Sequence, residues 1–166
     1  MRRPRPSHLL LVALFVTACS DVTSPTSPDD DTNAAVVRVV DGDTVDVRIA
    51  DRVERVRLIG IDTPESVRPD SPVECYGPEA SAFTTQLLPA GTRVRLERDL
   101  EPRDPYDRLL AYVFLADGTF VNLEIVRTGH ATVLPIEPNT THSARFAVAE
   151  REARDVRAGM WAACSG

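Results

Sequence analysis

A mainly β domain with packed helices, built round a small closed barrel of five strands, is predicted from three features of this chain. Short apolar runs alternate with polar residues at strand period, turn residues separate them, and helical stripes occupy only the gaps around the later runs. Val36 to Val40 is the first run, and Asp41-Gly42-Asp43 turns it into a second, in which Val45, Val47 and Ile49 alternate with Asp46 and Arg48. A turn near Ala50-Asp51 leads to a third, where Val53, Val56 and Leu58 continue to Ile61, giving three adjacent antiparallel strands. Arg93 to Glu97 alternates in the same way, and Leu110 to Leu115 is the fifth run.

Helices fill the intervals. Gly77-Pro78 places proline at a first helical position, Ala80, Phe83 and Leu87 form a stripe, and Pro89-Ala90-Gly91 ends it. A second short helix fits Val121 to Thr128, stopped by Gly129. The third runs from about Ser143 to Ala158, with Thr140 or Thr141 as N-cap and Phe146, Ala149, Ala153 and Val156 on one face.

The chain has 166 residues and is 43% hydrophobic, enough for one cored domain and too apolar for a disordered protein. Its first residues differ in kind. Arg2, Arg3 and Arg5 precede an apolar run from Leu9 to Val16, and Val16-Thr17-Ala18-Cys19 closes it. The run is shorter than the roughly 20 residues of a membrane-spanning helix and reads as a secretion signal, residues 1–18, ending in a bacterial lipoprotein box. Cys19 is then the lipidated first residue of the mature chain; the other reading is an ordinary cleaved signal beside a chance cysteine. Residues 19–33, rich in Ser, Thr, Pro and Asp, form a solvated tether, and 34–166 the folded domain. In an oxidising compartment Cys75 and Cys164 are expected to pair as a disulfide, the alternative being two independent thiols.

Charge excludes one common type of nucleic-acid protein. Residues 34–166 hold sixteen arginines against twenty-one carboxylates, so a broad basic footprint is missing. Any polyanion must be met locally, by a divalent ion and a few arginines. Two acidic runs provide for that: Asp41-Gly42-Asp43-Thr44 and Ile61-Asp62-Thr63-Pro64-Glu65 flank the strand that carries Arg57. Asp43 and Asp62 offer hard oxygens to a calcium-like ion, Arg57 a planar fork for phosphate, and Glu65 a carboxylate for water. Taken singly, each is ordinary: a strand arginine in a surface ion pair, a loop carboxylate. His130 and His142 lack partners at metal-ligand spacing, Asn139-Thr140-Thr141 is a sequon of little weight beside a bacterial signal, and Trp161 reads as a packing anchor for the C-terminal helix.

A series of motifs runs in order along the folded domain: Val40-Asp41-Gly42-Asp43-Thr44-Val45, Arg57-Leu58-Ile59-Gly60-Ile61-Asp62-Thr63-Pro64-Glu65, Tyr76-Gly77-Pro78-Glu79-Ala80-Ser81-Ala82-Phe83, Asp104-Pro105-Tyr106-Asp107-Arg108-Leu109-Leu110-Ala111-Tyr112, Val121-Asn122 with Val126-Arg127-Thr128-Gly129, and Pro138-Asn139-Thr140-Thr141-His142. In these motifs the chain resembles the thermonuclease family, the staphylococcal-nuclease-like domains, over nearly all of 34–166. The resemblance implies a five-stranded OB-type barrel with three helices, monomeric, acting as a Ca²⁺-dependent nuclease on DNA and RNA that leaves 3′-phosphate and 5′-hydroxyl ends. It implies Ca²⁺ binding by Asp43, Asp62 and the Thr63 carbonyl, catalysis by Arg57, Glu65 and Arg108, and phosphate contact by Tyr106. Pro105 stands where the family often has lysine, Asp107 where it has glycine, and Leu134 and Ile136 where tyrosines line the nucleotide pocket of the best-known member. Base–aromatic stacking is worth about 1–3 kcal/mol per base, so weaker binding of small nucleotides is expected. The readings that compete with an enzyme are a noncatalytic, membrane-tethered OB-type binding module and a structural lipoprotein whose acidic loops bind Ca²⁺ for stability.

Overall fold

The computed structural model describes residues 32–66 and 72–164. The expected signal segment, Cys19 and the expected tether as far as residue 31 lie outside the described residues. Asn33, placed by the sequence at the end of the expected tether, exchanges side-chain hydrogen bonds with the backbone of Leu96 (3.0 and 2.8 Å).

Strands β1 (Ala34–Asp41), β2 (Thr44–Ile49), β3 (Arg52–Leu58), β5 (Arg93–Glu97) and β6 (Leu109–Leu115) close a barrel in the order β1-β2-β3-β6-β5. Between them come β4 (Ile61–Asp62) and α1 (Gly77–Leu87), and after them α2 (Val121–Arg127), β7 (Thr132–Val133), α3 (Ser143–Asp155) and α4 (Met160–Ala163). The β1/β2 and β2/β3 hairpins are antiparallel, β3 pairs with β6 in parallel, and Ala34 opposite Val94 closes the ring. This is the expected OB-type barrel; the addition among the described residues is a fourth, one-turn helix, α4.

Alternation explains which side chains fill the barrel. Val36, Val45, Val47, Val56, Leu58, Val94 and Leu96 point inward, and Val121, Ile125 and Val126 of α2 join them. Strand β6 is buried on both faces, which is why it reads as a continuous apolar run. Leu109, Ala111 and Val113 enter the barrel, whereas Leu110 and Tyr112 join Ile59, Phe120 and Phe146 in a second cluster beneath α3.

Three expectations need correction. The third strand stops at Leu58 instead of running to Ile61, because Gly60 sits at φ +82 and a Cβ there would meet Phe146 Cε2 at 2.4 Å. Ile61 and Asp62 instead pair with β7. The N-cap of α3 is His142 rather than a threonine, and Thr141 is turned to Asp99, which accepts from its hydroxyl and its N–H (both 3.0 Å). Val156 lies beyond α3 and is 75% exposed, so the apolar face consists of Phe146, Ala149 and Ala153. Trp161 does pack on the C-terminal helix, with the Arg154 guanidinium 4.2 Å above its ring.

On the outer face, Arg38 and Arg55 stand opposite Asp46 on the two neighbouring strands and donate to its carboxylate, each at 2.9 Å. The Arg55 hydrogen bond, against the opposing effect of burial, holds the Asp46 carboxyl below the usual 3.8. Asp104 is held low too: burial opposes ionisation, but the backbone N–H and guanidinium of Arg108 outweigh it. A depressed carboxylate contributes stability above its unfolded pKa and loses it as pH falls through the folded value. The urea midpoint is therefore expected to be level from about pH 7 to about pH 5 and to decline below about pH 4, less steeply in Asp46→Asn. An unchanged slope in that variant would remove Asp46 from the account.

Candidate active site

Asp43 sits in the two-residue turn between β1 and β2, Arg57 near the end of β3, and Asp62 in β4, with Thr63 and Glu65 in the loop that follows. Parallel pairing of Val56 with Leu109 brings Arg108, just before β6, alongside β3. The turn is braced from two sides: Thr84 of α1 donates to the Gly42 carbonyl (2.7 Å), and the Thr63 N–H donates to Asp43 Oδ2 (3.2 Å). A Cβ on Gly42 would stand 2.6 Å from Thr63 Oγ1, so glycine permits this close approach.

These residues line one polar cleft of ≈ 350 Å³: Asp41, Asp43, Arg57, Asp62, Glu65 and Arg108 share it with Thr63, Glu74 and Leu134. Arg57 is buried and held by four contacts through NH1 and NH2. Its NH1 donates to the carbonyls of Leu58 and Ile61 (both 2.7 Å), and its NH2 lies 3.0 Å from both Asp43 Oδ2 and Asp62 Oδ1. A guanidinium so placed has one orientation, and it draws the two carboxylates to a common point. Asp43 Oδ1 also accepts the Thr44 hydroxyl at 2.9 Å.

Arg108 approaches from the other side of the cleft. Asp104, whose side chain is 7% exposed, accepts from Arg108 Nε at 2.6 Å and from the N–H groups of Tyr106 and Arg108 at 3.0 and 2.9 Å. Asp104 takes Nε, the guanidinium nitrogen furthest from the tip. Tyr106 is 81% exposed, with Arg108 Cζ 5.5 Å from its ring centre, and belongs to an outer groove with Asp46 and Arg55 that meets the cleft at Arg108.

Glu65 is half-buried, and its backbone is clasped by Glu74: Glu65 N–H donates to Glu74 Oε2 (3.1 Å) and Glu74 N–H to the Glu65 carbonyl (2.9 Å). Its carboxylate shares a hydrogen bond with Asp41. Burial pushes the Asp41 carboxyl above the usual range, partly offset by the Ser66 hydroxyl 2.5 Å away, and the Glu65 contact raises it further. Sequence reasoning passed over Asp41, Glu74 and Asp104. Asp41 lies in the same acidic run as Asp43 and is similarly buried; what sets it apart is that it faces Ser66 and Glu65 rather than Arg57.

Two buried amides hold the frame. Asn122 accepts the Val113 N–H (2.9 Å) and donates to the Ile59 carbonyl (3.0 Å), tying α2 to the turn after Arg57. Asn139 exchanges both amide groups with the backbone of Glu101 (2.7 and 2.9 Å), fixing the segment that leads to Arg108. Leu134 lines the cleft, whereas Ile136 packs against the second apolar cluster. His130 stacks on Phe83 with ring centres 4.0 Å apart.

Asp107 adopts φ +64, its side chain is 87% exposed, and its neighbours are Arg103: NH1 donates to the Asp107 carbonyl (2.7 Å) and lies 3.6 Å from its carboxylate. The partner of Arg108 is Asp104. Asp107→Gly is therefore expected to change kcat less than about twofold while stabilising the fold by about 1 kcal/mol through relief of the left-handed backbone. A several-fold gain in turnover would mean that Asp107 restrains Arg108 after all.

Five carboxylates thus share one cleft with two guanidiniums on an OB-type barrel. The chain belongs to the staphylococcal nuclease family: the family described as Staphylococcal nuclease homologue matches residues 55–163. It is 44% identical over 126 residues to a thermonuclease of Staphylococcus intermedius, covering 76% of this chain and 74% of that protein. Identity to a thermonuclease of Staphylococcus hyicus is 40% over 126 residues (76% and 73%). To endonuclease YncB of Bacillus subtilis (strain 168) it is 37% over 131 residues (78% and 61%).

Proposed function

We propose that this protein is a nuclease that hydrolyses phosphodiester bonds of DNA and RNA with Ca²⁺, leaving 3′-phosphate and 5′-hydroxyl ends. The observation that carries the reading is the convergence of Arg57, Arg108 and Glu65 on the cleft that also holds Asp43 and Asp62. Binding alone would not require a carboxylate placed for water beside two phosphate-seeking arginines.

The cleft suits a hard cation. It holds three more carboxylates than guanidiniums, so a polyanion entering it needs a further positive charge, and oxygen donors are what Ca²⁺ takes. Among the described residues no group of three or more His, Cys, Asp or Glu side chains is arranged to hold a metal ion by itself. Asp43 and Asp62, with the Thr63 carbonyl, would hold the ion, and the rest of its shell would be water and substrate. Bound there, Ca²⁺ would neutralise a phosphate oxygen as charge builds on it.

Arg57 and Arg108 receive the nonbridging oxygens from two sides, and their fixed orientation lowers the reorganisation needed as the pentacovalent charge develops. Glu65 orients and deprotonates the attacking water, a contribution of roughly 10²–10⁴-fold. Tyr106 contacts a flanking phosphate along the outer groove. With leucine at 134 the cleft wall stacks bases weakly, so short nucleotides bind less tightly than long strands. The leader and Cys19 make the mature protein a membrane-anchored, extracytoplasmic lipoprotein; fatty-acid labelling lost in Cys19→Ala would support the anchor.

Cleavage of single-stranded DNA and RNA by the full-length protein, with Ca²⁺ or with chelator, tests the activity. Expected are Ca²⁺-dependent products that polymerase cannot extend until a phosphatase removes the 3′-phosphate. A folded, Ca²⁺-binding protein that cuts neither polymer would overturn the enzyme reading in favour of a binding or structural module.

A further inference from the structure

Cys75 and Cys164 are joined by a disulfide with Cα atoms 6.0 Å apart, bridging a sequence separation of 89 residues. Its position relative to the cleft is what matters. Cys75 follows Glu74, whose carboxylate and N–H clasp the backbone of Glu65. Gly77 N–H donates to the Glu74 carbonyl (3.0 Å), and a Cβ on Gly77 would stand 2.5 Å from the Glu65 carbonyl oxygen. Glu65 therefore rests on the segment from Glu74 to Gly77.

Among the described residues, little else holds the outer part of that segment. Residues 72–75 are all exposed, and the Glu65–Glu74 clasp is exposed as well. Hydrogen bonds open to water contribute little net free energy, whereas ordering each residue costs more, so the clasp cannot be self-sustaining. The far end of the disulfide is well anchored. Cys164 caps α4, Met160 is buried, Met160 N–H donates to the Gly129 carbonyl (2.9 Å), and Trp161 carries Arg154 on its ring. The bridge transmits this anchoring to Glu74 and so to Glu65.

Resting on the nuclease reading above, we propose that the Cys75–Cys164 disulfide is a positioning element for Glu65, making full turnover conditional on oxidation. Both cysteines are exposed, so a dithiol reaches the bridge. One thiolate attacks a protein sulfur to give a mixed disulfide, and the second closes a cyclic disulfide, leaving Cys75 and Cys164 as thiols; two electrons and two protons pass to the protein. In a reducing cytoplasm the chain would be slow, and an oxidising exterior would complete its site.

The test uses the full-length protein carrying Cys19→Ser, so that no third thiol exchanges, and measures kcat and KM on single-stranded DNA with Ca²⁺. Reduction by dithiothreitol, verified by alkylation, is expected to lower kcat at least about tenfold and to change KM less than about twofold, with recovery on reoxidation. Cys75→Ser/Cys164→Ser is expected to match the reduced protein and to ignore dithiothreitol. In a Glu65→Gln background the same reduction is expected to cost less than about twofold, because the group being positioned is already gone. Equal kcat in the oxidised and verified reduced proteins would overturn the proposal, and so would an equal proportional loss in the Glu65→Gln background. An oxidised protein that cleaves nothing would instead overturn the nuclease reading itself. Since reduction is carried out on already folded protein, poor folding of the serine variant cannot mask the result.

Discussion

Replacing Arg57 by lysine is expected to lower kcat about a hundredfold or more and to destabilise the fold by about 3 kcal/mol, a double loss peculiar to this position. The guanidinium spans four partners at once: two carbonyls on NH1 and two carboxylates at NH2, all at 2.7 or 3.0 Å. An ammonium is a point charge on a flexible stem and cannot reach all four. Whichever partners it leaves, a carbonyl or a carboxylate loses its donor in a site where Arg57 is 6% exposed, and an unsatisfied buried acceptor costs more than the hydrogen bond itself contributes. The catalytic loss comes from the same geometry: lysine offers neither the fixed orientation nor the paired donors that a transferring phosphoryl group requires. Turnover on DNA and the urea midpoint, measured on the same preparation, separate the two effects. Retention of kcat within about threefold, with stability reduced, would leave Arg57 a structural residue only.

How far the molecule could be read beforehand depends on whether the relevant contacts are local. Strand β5 is plain because one face lies inside the barrel, so alternation and burial coincide; β1 and β2 are legible from apolar content and the Gly42-Asp43 turn between them, since four successive β2 residues from Thr44 to Val47 are buried. The end of β3 is not, because Ile59 and Ile61 are both apolar and both buried, Ile59 in the second cluster and Ile61 in the barrel core. Only the Phe146 ring packed against Gly60 shows why the chain turns there. The same division runs through the site. Asp43, Arg57, Asp62 and Glu65 lie in one stretch of chain and were found together. Which carboxylate holds Arg108 could not be read, since Asp104 and Asp107 are both close in sequence. A left-handed backbone at Asp107 turns its side chain toward Arg103 and leaves the inner place to Asp104. Glu74 likewise gains its role from lying against the backbone of Glu65, a fold-level fact without a sequence signature.

Glu65→Gln is expected to reduce kcat by about 10²–10⁴-fold with little change in KM or in the thermal midpoint. The substitution is isosteric, and the half-buried side chain contributes little to the core; the Glu74 clasp acts on the backbone of residue 65, which glutamine retains. Phosphate binding by Arg57 and Arg108 should therefore persist, which predicts an effect on kcat alone. Glutamine keeps an oxygen that can orient water but cannot accept its proton, so the size of the loss separates the two roles assigned to this residue. A fall of about a thousandfold assigns Glu65 to proton abstraction. A fall of less than about tenfold would reduce it to a water-orienting group and shift the base to solvent or to another carboxylate of the cleft. Asp41 is then the first to test, because its burial and its hydrogen bond to Glu65 already favour a bound proton. Single-turnover cleavage at saturating Ca²⁺ is the decisive measurement, because product release cannot then hide the chemical step.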